Sequence, residues 1–289
     1  MRVIRHPREL RNVLHSLKKK GRAIGFVPTM GSLHEGHLSL VRRSKKENQA
    51  TVVSLFVNPL QFGPREDFWR YPRDVARDTE LLRKERADFL FLPHLREFYP
   101  AGFQASVSVK NLSQPLCGVS RPTHFAGVAT VVLKLLNIVA PDAIYLGQKD
   151  YQQFRIVEQM VKDLNFPVRV RMSPIVREPD GLAMSSRNVL LSPSERREAP
   201  FLYRALQRGA ELAKSGAEDT AKIKKAVREV LKNAPHLKID YVEIVDAETL
   251  APVVKLKNRR KILIALAVFF GKIRLIDNYL ITGSQCLES

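Results

Sequence analysis

Cysteine and long apolar runs are what this sequence lacks most. Its 289 residues include 2 cysteines, Cys117 and Cys286, which lie far apart and form no CxxC pair. This spacing excludes a disulfide framework and a zinc knuckle, and isolated thiols suit a reducing cytoplasm. The longest apolar run, Ile262 to Phe270, is too short to cross a bilayer, and Arg2 and Arg5 stand where a signal peptide is apolar. We therefore expect a cytoplasmic protein without a membrane partner.

Acidic residues are also few, because 29 Asp and Glu stand against 48 Lys and Arg, for a formal net charge of +19. Such a surface attracts polyanions. The basic residues are scattered, however, and the densest runs, Lys18 to Lys20 and Lys255 to Lys261, lack the interleaved aromatic residues that stack on bases. We therefore expect solvated basic faces that draw in ATP, and no specific nucleic-acid partner.

The chain is organised around residues 28 to 37, Pro-Thr-Met-Gly-Ser-Leu-His-Glu-Gly-His. The apolar run Ala23 to Val27 precedes them, and apolar residues at helical spacing follow from Leu38, so the pattern predicts a turn from a strand into a helix. The N–H groups and the dipole at a helix start favour phosphate. Because His34 and His37 are one helical turn apart, they place two donors on one side.

On this stretch alone, the two histidines could also bind a metal or cap the helix, although no Cys, Asp or further His stands nearby to complete a zinc site. The core of the stretch resembles the His-x-Gly-His signature of the adenylyl-transferring superfamily that includes class I aminoacyl-tRNA synthetases. The longer string resembles the pantothenate synthetase family (pantoate–β-alanine ligases). That resemblance implies that His34 and His37 are catalytic and that ATP contacts Met30, Gly31, Ser32, Leu33, His34, Glu35, Gly36 and His37.

A second polar stretch follows a mostly apolar, β-branched run, Ala50 to Val57, which predicts a buried strand. Asn58-Pro59-Leu60-Gln61-Phe62 comes at its carboxyl end, where ligands sit in an open parallel sheet. Gln61 offers a donor and an acceptor on one side chain, suited to a hydroxyl and a carboxylate oxygen. The string again resembles the pantothenate synthetase family. The resemblance implies that Gln61 contacts pantoate and β-alanine, with Asn58 beside it as a substrate-binding residue.

The third stretch repeats the pattern of the first, with a short strand from Ala143 to Leu146, a glycine turn and a helix from Tyr151 to Leu164. A cation at Lys149, near a positive helix end, is unfavourable unless an anion is close, although Asp150 could partly neutralise it. Gln153 lies one helical turn further and can face the same cleft. The family resemblance implies that Lys149 is catalytic, that Gln153 binds pantoate, and that ATP contacts Gly147, Gln148, Lys149 and Asp150.

The fourth stretch is a loop from Arg177 to Asn188 with a glycine hinge at Gly181. Its two serine hydroxyls and one guanidinium can donate several hydrogen bonds to a triphosphate. The loop resembles the synthetase Lys-Met-Ser-Lys-Ser loop with the lysines replaced, the form that pantothenate synthetases carry. The resemblance implies that ATP contacts Val176, Met184, Ser185, Ser186 and Arg187.

Asp78 falls about one turn inside a helix that Asp74 is predicted to cap. The resembled family often has acidic residues there that are associated with magnesium, but Arg77 stands where another acid is common. We therefore predict a surface salt bridge for Asp78 and leave the metal ligands unknown. Alternation predicts a strand from Gln104 to Lys110, and an all-apolar pattern predicts a buried helix from Val128 to Val139, in a region where the resemblance implies a dimer contact.

The pattern changes at Ser192-Pro193-Ser194-Glu195, a helix start with a capping box. We therefore predict a Rossmann-like parallel-sheet domain that binds ATP and pantoate over residues 1–188, and a smaller C-terminal α/β domain over 189–289. Strands are predicted at 168–172, 175–176, 239–245, 262–270 and 273–281, and helices at 202–212 and 223–231.

The resemblance extends over essentially the whole chain and implies an ATP-dependent ligase in the α/β class. In its reaction, the pantoate carboxylate attacks the α-phosphorus of ATP, pyrophosphate leaves, and the amine of β-alanine attacks the pantoyl adenylate to give pantothenate and AMP. Mg²⁺ on the phosphates and a homodimer are implied as well. Two alternatives stay open, namely another nucleotidyltransferase of the same superfamily and a basic, tRNA-binding, synthetase-like protein.

Overall fold

The computed structural model describes residues 1–64, 68–256 and 261–282, so Cys286 and part of the basic run from 255 to 261 lie outside the described residues. The chain forms two compact units. Unit 1 comprises Met1–Ser113, Arg121–Gln148 and Gln153–Pro174, and unit 2 comprises Gln114–Ser120, Lys149–Gln152 and Ile175–Ser289. The domain boundary between residues 188 and 189 stays a prediction.

Unit 1 is built on a parallel sheet of six strands in the described chain, in the order β1-β4-β3-β2-β5-β6. The central strands are apolar on both faces because helices cover both, which is why they are continuous hydrophobic runs in the sequence. The predicted parallel, Rossmann-like sheet is confirmed. Its strands are β1 (Arg2–Ile4), β2 (Ile24–Thr29), β3 (Ala50–Leu55), β4 (Phe89–Phe91), β5 (Ala143–Gly147) and β6 (Arg169–Ser173).

The first seven helices are α1 (Pro7–Lys19), α2 (Glu35–Glu47), α3 (Val75–Lys84), α4 (Leu95–Phe98), α5 (Cys117–Ser120), α6 (His124–Val139) and α7 (Tyr151–Asp163). The predicted buried helix is confirmed as α6, which starts four residues earlier than predicted and buries residues on all sides. Short 3₁₀ turns follow two strands, at Pro59–Gln61 and Gln148–Asp150. Within the described ranges, no helix is both long and apolar enough to cross a membrane.

Two predicted strands are wrong. Residues Gln104 to Lys110 have no strand structure, and the N–H of Val107 donates to the Thr130 hydroxyl at 2.9 Å in place of a neighbouring strand. Alternation of polar and apolar residues therefore does not by itself predict pairing with a neighbouring strand. Ile175 and Val176 also lie outside any strand, and only the next residue, Arg177, forms an isolated bridge, to Ala183.

Unit 2 contains an antiparallel sheet in the order β7-β8-β9, with β7 (Leu237–Asp246), β8 (Lys261–Phe270) and β9 (Ile273–Thr282). Helices α8 (Pro193–Glu198), α9 (Phe201–Lys214) and α10 (Thr220–Leu231) precede it. The predicted capping box is present, since the Glu195 N–H donates to the Ser192 hydroxyl and the Ser192 N–H to the Glu195 carboxylate. Apolar residues of α9, α10 and all three strands share one core, and the expected C-terminal α/β architecture is confirmed.

Candidate active site

The sheet of unit 1 brings three of the predicted stretches to one edge. Strand β2 pairs in parallel with β3 on one side and with β5 on the other, so the carboxyl ends of the three strands lie side by side. Strand β2 connects to its neighbour β3, and β5 connects to β6 in the opposite direction along the sheet. The carboxyl ends of β2 and β5 therefore form a topological switch point, the place where α/β proteins bind ligands. The turn with the two histidines follows β2, the Asn58 turn follows β3, and Gly147 is the last residue of β5.

Asp78 on α3 holds the turn that precedes the histidines. Gly31 and Ser32 have positive φ angles, 86° and 51°. The Asp78 carboxylate accepts hydrogen bonds from the N–H of Ser32 at 2.7 Å and from the N–H of Leu33 at 2.8 Å. Burial raises the pKa of this carboxyl, while the hydrogen bonds from Leu33 and Ser32 oppose that rise. The predicted surface position of Asp78 is wrong, since 1% of the residue is exposed.

His34 and His37 lie together at the start of α2, with ring centroids 4.1 Å apart. His34 is the N-cap, and its Nδ1 accepts from the N–H of Gly36 at 3.2 Å, while Nδ1 of His37 accepts from the N–H of His34 at 3.4 Å. A neutral imidazole whose Nδ1 accepts has its hydrogen on Nε2. The two imidazoles thus accept helix N–H groups that were expected to bind phosphate. In their place, each neutral ring has an Nε2–H as a hydrogen-bond donor.

Asn58 and Gln61 are both buried, with 1% and 8% of each residue exposed. The Asn58 amide donates to the Gly127 carbonyl at 3.0 Å and to Oε1 of Gln61 at 3.2 Å, and its Oδ1 accepts from the Tyr99 hydroxyl at 3.0 Å. Nε2 of Gln61 contacts Sδ of Met30 at 2.8 Å. These contacts fix the orientation of Gln61 and connect it to the residue after β2. Direct contact of either amide with a substrate stays a prediction.

The start of α6 supplies residues that the sequence analysis did not single out. Nδ1 of His124 lies 2.7 Å from the backbone carbonyl of Gln61, and the Arg121 guanidinium donates to the same oxygen at 3.2 Å. Gly127 allows this approach, because a Cβ there would lie 2.1 Å from the carbonyl oxygen of Leu60. The Arg-Pro-Thr-His string before an apolar helix was the available signal.

In unit 2, Lys149 lies in the 3₁₀ turn that follows β5, and Asp150 beside it is exposed. The backbone carbonyl of Lys149 accepts a hydrogen bond from the Asn278 side chain at 2.9 Å. Asn278 and its neighbour Asp277 are 4% and 2% exposed. This dipeptide is a second feature that the sequence analysis passed over, although two polar residues inside an apolar strand are an available signal.

The predicted ATP loop of unit 2 is closed by its own hydrogen bonds. The N–H of Met184 donates to the Val176 carbonyl at 3.0 Å, and the Asn188 side chain donates to Glu178 at 2.7 Å and to the Ala183 carbonyl at 3.2 Å. At the tip, the N–H of Arg187 donates to the Ser185 hydroxyl at 3.3 Å. Ser185, Ser186 and Arg187 are partly exposed, which leaves polar groups accessible to a ligand.

The described residues contain no group of three or more His, Cys, Asp or Glu side chains that could hold a metal ion. Asp78, the acid in the region that the family resemblance associates with magnesium, uses both oxygens on backbone N–H groups. Nucleotide phosphates and water are the oxygen ligands that Mg²⁺ commonly keeps in such sites, so a magnesium ion here would be held largely by them.

Comparison with known proteins gives a consistent family match. Residues 2–280 match the family model described as "Pantoate-beta-alanine ligase". A pantothenate synthetase from Sulfurihydrogenibium sp. (strain YO3AOP1) is 56% identical over 279 residues, which cover 96% of this chain and 99% of that protein. One from Caldicellulosiruptor bescii is 54% identical over 281 residues, covering 97% and 99%.

Two solved structures match the chain and belong to the same family. The crystal structure of pantothenate synthetase from Thermus thermophilus matches with a TM-score of 0.90 and 48% identity, over 96% of this chain and 99% of that one. Pantoate-beta-alanine ligase from Francisella tularensis, solved in complex with β-γ ATP and β-alanine, matches with a TM-score of 0.80 and 35% identity, over 97% of each chain.

Proposed function

The chain belongs to the pantoate-beta-alanine ligase family and condenses pantoate with β-alanine, and we propose that it does so through a pantoyl adenylate formed from ATP at the carboxyl edge of the parallel sheet. The observation that carries this mechanism is the pair of imidazoles at the switch point, whose Nδ1 atoms each accept a helix N–H, so that the neutral ring has its donor at Nε2. The related Francisella tularensis structure is a complex with β-γ ATP and β-alanine, which supports ATP as the activating substrate.

The reaction begins when a pantoate carboxylate oxygen attacks the α-phosphorus of ATP. Negative charge grows on the phosphate oxygens as pyrophosphate leaves, and donors aimed at those oxygens lower the barrier. His34, His37 and Lys149 supply the donors, and the Nε2–H of His37 can donate a hydrogen bond to the leaving phosphate while the ring stays neutral. The ATP contacts that we propose are Met30, Gly31, Ser32, Leu33, His34, Glu35, Gly36, His37, Gly147, Gln148, Lys149, Asp150, Val176, Met184, Ser185, Ser186 and Arg187.

Side-chain amides bind the two acid substrates. Gln61 orients pantoate and β-alanine with one donor and one acceptor, and Gln153 on α7 binds pantoate. Asn58 supports this role by holding Oε1 of Gln61 at 3.2 Å. Binding both reactants in one orientation converts the attack of the β-alanine amine on the adenylate into an intramolecular step.

Mg²⁺ would accompany ATP and neutralise charge on the phosphate oxygens, which together with water would be its main ligands. The Ser185 loop covers the adenylate and keeps water away from the acyl phosphate. We also propose that the enzyme is a cytoplasmic homodimer. The buried, reduced thiol of Cys117 supports a reducing compartment, and light scattering of the purified protein tests the dimer.

Product analysis tests the proposed function directly. Purified protein is incubated with ATP and Mg²⁺ alone, with one acid substrate, and with both. AMP is expected to accumulate with turnover only when pantoate and β-alanine are both present, in equal amounts with pantothenate. Turnover with a phosphate ester as the nucleotide acceptor, or specific salt-resistant tRNA binding, would favour one of the two alternatives.

Two substitutions distinguish the roles of the two ring nitrogens of His37. In His37→Asn the amide oxygen can still accept from the His34 N–H, but the Nε2 donor is gone. We expect about a 10²- to 10³-fold loss in kcat with unchanged thermal unfolding. His37→Gln, whose amide nitrogen falls near the position of Nε2, restores part of kcat. Lys149→Ala is expected to lose kcat to a similar extent. A His37→Asn or Lys149→Ala enzyme with nearly full turnover would remove that residue from the mechanism.

A further inference from the structure

Asp277 and Asn278 are an unusual pair for the middle of strand β9. Their partners on β8 are Leu266 and Ala265, and the pair is almost fully buried. A buried carboxylate and a buried amide are costly unless other groups satisfy them. The hydrogen-bond partners of Asp277 and Asn278 therefore indicate the role of the pair.

Asp277 holds the base of the loop that carries Met184 to Arg187. Its two carboxylate oxygens accept from Nη1 of Arg177 at 2.6 Å and from Nη2 at 3.0 Å, a bidentate ion pair. Nη1 of Arg177 also donates to the Gly181 carbonyl at 3.0 Å, and the guanidinium lies 3.7 Å from the ring centroid of Tyr203. The start and the glycine hinge of the loop are thereby fixed to the sheet through one side chain.

Asn278 holds Lys149. Its side-chain amide donates to the Lys149 carbonyl at 2.9 Å, and its backbone N–H donates to Oδ1 of Asp277 at 2.8 Å. Burial raises the pKa of the Asp277 carboxyl, and the positive charges of Arg177 and, more weakly, of Lys149 oppose that rise. Lys149 is therefore fixed at its backbone and lies within the electrostatic influence of the same carboxylate that anchors the loop.

We propose that Asp277 and Asn278 are positioning residues for adenylate formation, which set Lys149 and the Met184–Arg187 loop in the geometry that ATP requires. This inference rests on the proposed function of Lys149 and of the loop. Because a displacement of about 1 Å in a catalytic group can cost 10²-fold in rate, a hydrogen bond that fixes the Lys149 backbone contributes to the rate in addition to the Lys149 side chain. In this proposal, strand β9 positions the ATP-binding groups of unit 2.

The test compares Asn278→Ala and Asp277→Asn with a matched control, Asp240→Asn. Asp240 accepts from Arg274 at 2.7 Å and 3.0 Å in the same unit, so its substitution also breaks an ion pair, one that is partly buried. No contact recorded for the described residues connects Asp240 with Lys149 or with the loop. Steady-state kcat and KM for each substrate, pantoate-dependent exchange of labelled pyrophosphate into ATP, and thermal unfolding are measured for all three.

We expect Asn278→Ala to lower kcat and the exchange rate by about 10- to 10²-fold, with the KM for β-alanine unchanged. Asp277→Asn is expected to raise the KM for ATP as well, and Asp240→Asn to keep both rates within about twofold of the unmodified enzyme. If Asp277→Asn fails to fold, Asn278→Ala decides. A folded Asn278→Ala enzyme with unimpaired exchange overturns the inference, and so does an equal loss in Asp240→Asn. If Lys149→Ala also keeps full exchange, the proposed function of Lys149 fails first.

Discussion

His34 and His37 each carry two nitrogens with different roles, and the sequence left donation to an anion and helix capping open as alternatives. Their spacing predicted two donors on one side of a helix start, which the 4.1 Å separation of the rings confirms. It did not predict that Nδ1 of each ring accepts a helix N–H, because that requires the extended backbone of His34, with φ −136° and ψ 173°. Helix capping thus sets the tautomer that the proposed mechanism uses.

For Asp78, the local sequence led to a wrong prediction of its exposure. Arg77 and Asp78 on a charged helix predict an exposed ion pair, yet the tertiary fold buries the carboxylate against two backbone N–H groups. Asp78→Asn keeps the shape but turns one acceptor into a donor facing an N–H group. We expect unfolding free energy to fall by about 1–3 kcal/mol, from the unsatisfied group, and kcat to fall as the turn shifts.

Asp74→Asn is the matched control for Asp78. It removes the same charge from the same helix, but Asn at an N-cap can still accept from the Arg77 N–H, which lies 2.9 Å from Oδ1 of Asp74. Urea denaturation and steady-state kinetics of both variants are the measurements. Equal stability and equal kcat in the two variants would show that the buried carboxylate does not hold the turn.

At the scale of elements, the approach of α6 to the Pro59–Gln61 turn sets the position of Gln61. Gly127 has no Cβ, and one placed there would lie 2.1 Å from the Leu60 carbonyl oxygen and 2.7 Å from the Gln61 nitrogen. Gly127→Ala therefore forces the turn away from α6. We expect kcat/KM for pantoate to fall by about 10-fold or more, because Gln61 moves with the turn.

Gly209→Ala provides the comparison. In α9 of unit 2, a Cβ on Gly209 would lie 2.7 Å from Val227 and 3.2 Å from Ile264, so this variant is also overpacked. It should lose about 1–3 kcal/mol of stability while its KM for pantoate stays unchanged. A Gly127→Ala enzyme with normal pantoate kinetics would contradict the role assigned to this contact.

Elements whose apolar pattern repeats along one buried surface were predictable from the sequence. The strands β2, β3 and β8 and the helix α6 are of this kind, since each is buried along most of its length. Gln104 to Lys110 alternates as a strand does but has no partner strand in the described chain, and pairing is not visible in a local pattern. The roles of Asn278 and Arg177 depend on contacts 129 and 100 residues away, which one sequence does not specify.

For the whole molecule, the net charge of +19 has a simple interpretation once the family is known. A strongly positive surface raises the local concentration of ATP and pantoate, both anions, and it needs no nucleic-acid partner. Family membership over residues 2–280 decides between the ligase and the two alternatives that the sequence analysis left open.

The most direct test of the central claim, that the enzyme adenylates pantoate before the amine arrives, is isotope exchange without β-alanine. Labelled pyrophosphate is incubated with enzyme, ATP and Mg²⁺, with and without pantoate. The mechanism predicts label in ATP only when pantoate is present, since the adenylate forms reversibly before the amine arrives. Exchange that is independent of pantoate, or absent until β-alanine is added, would contradict it.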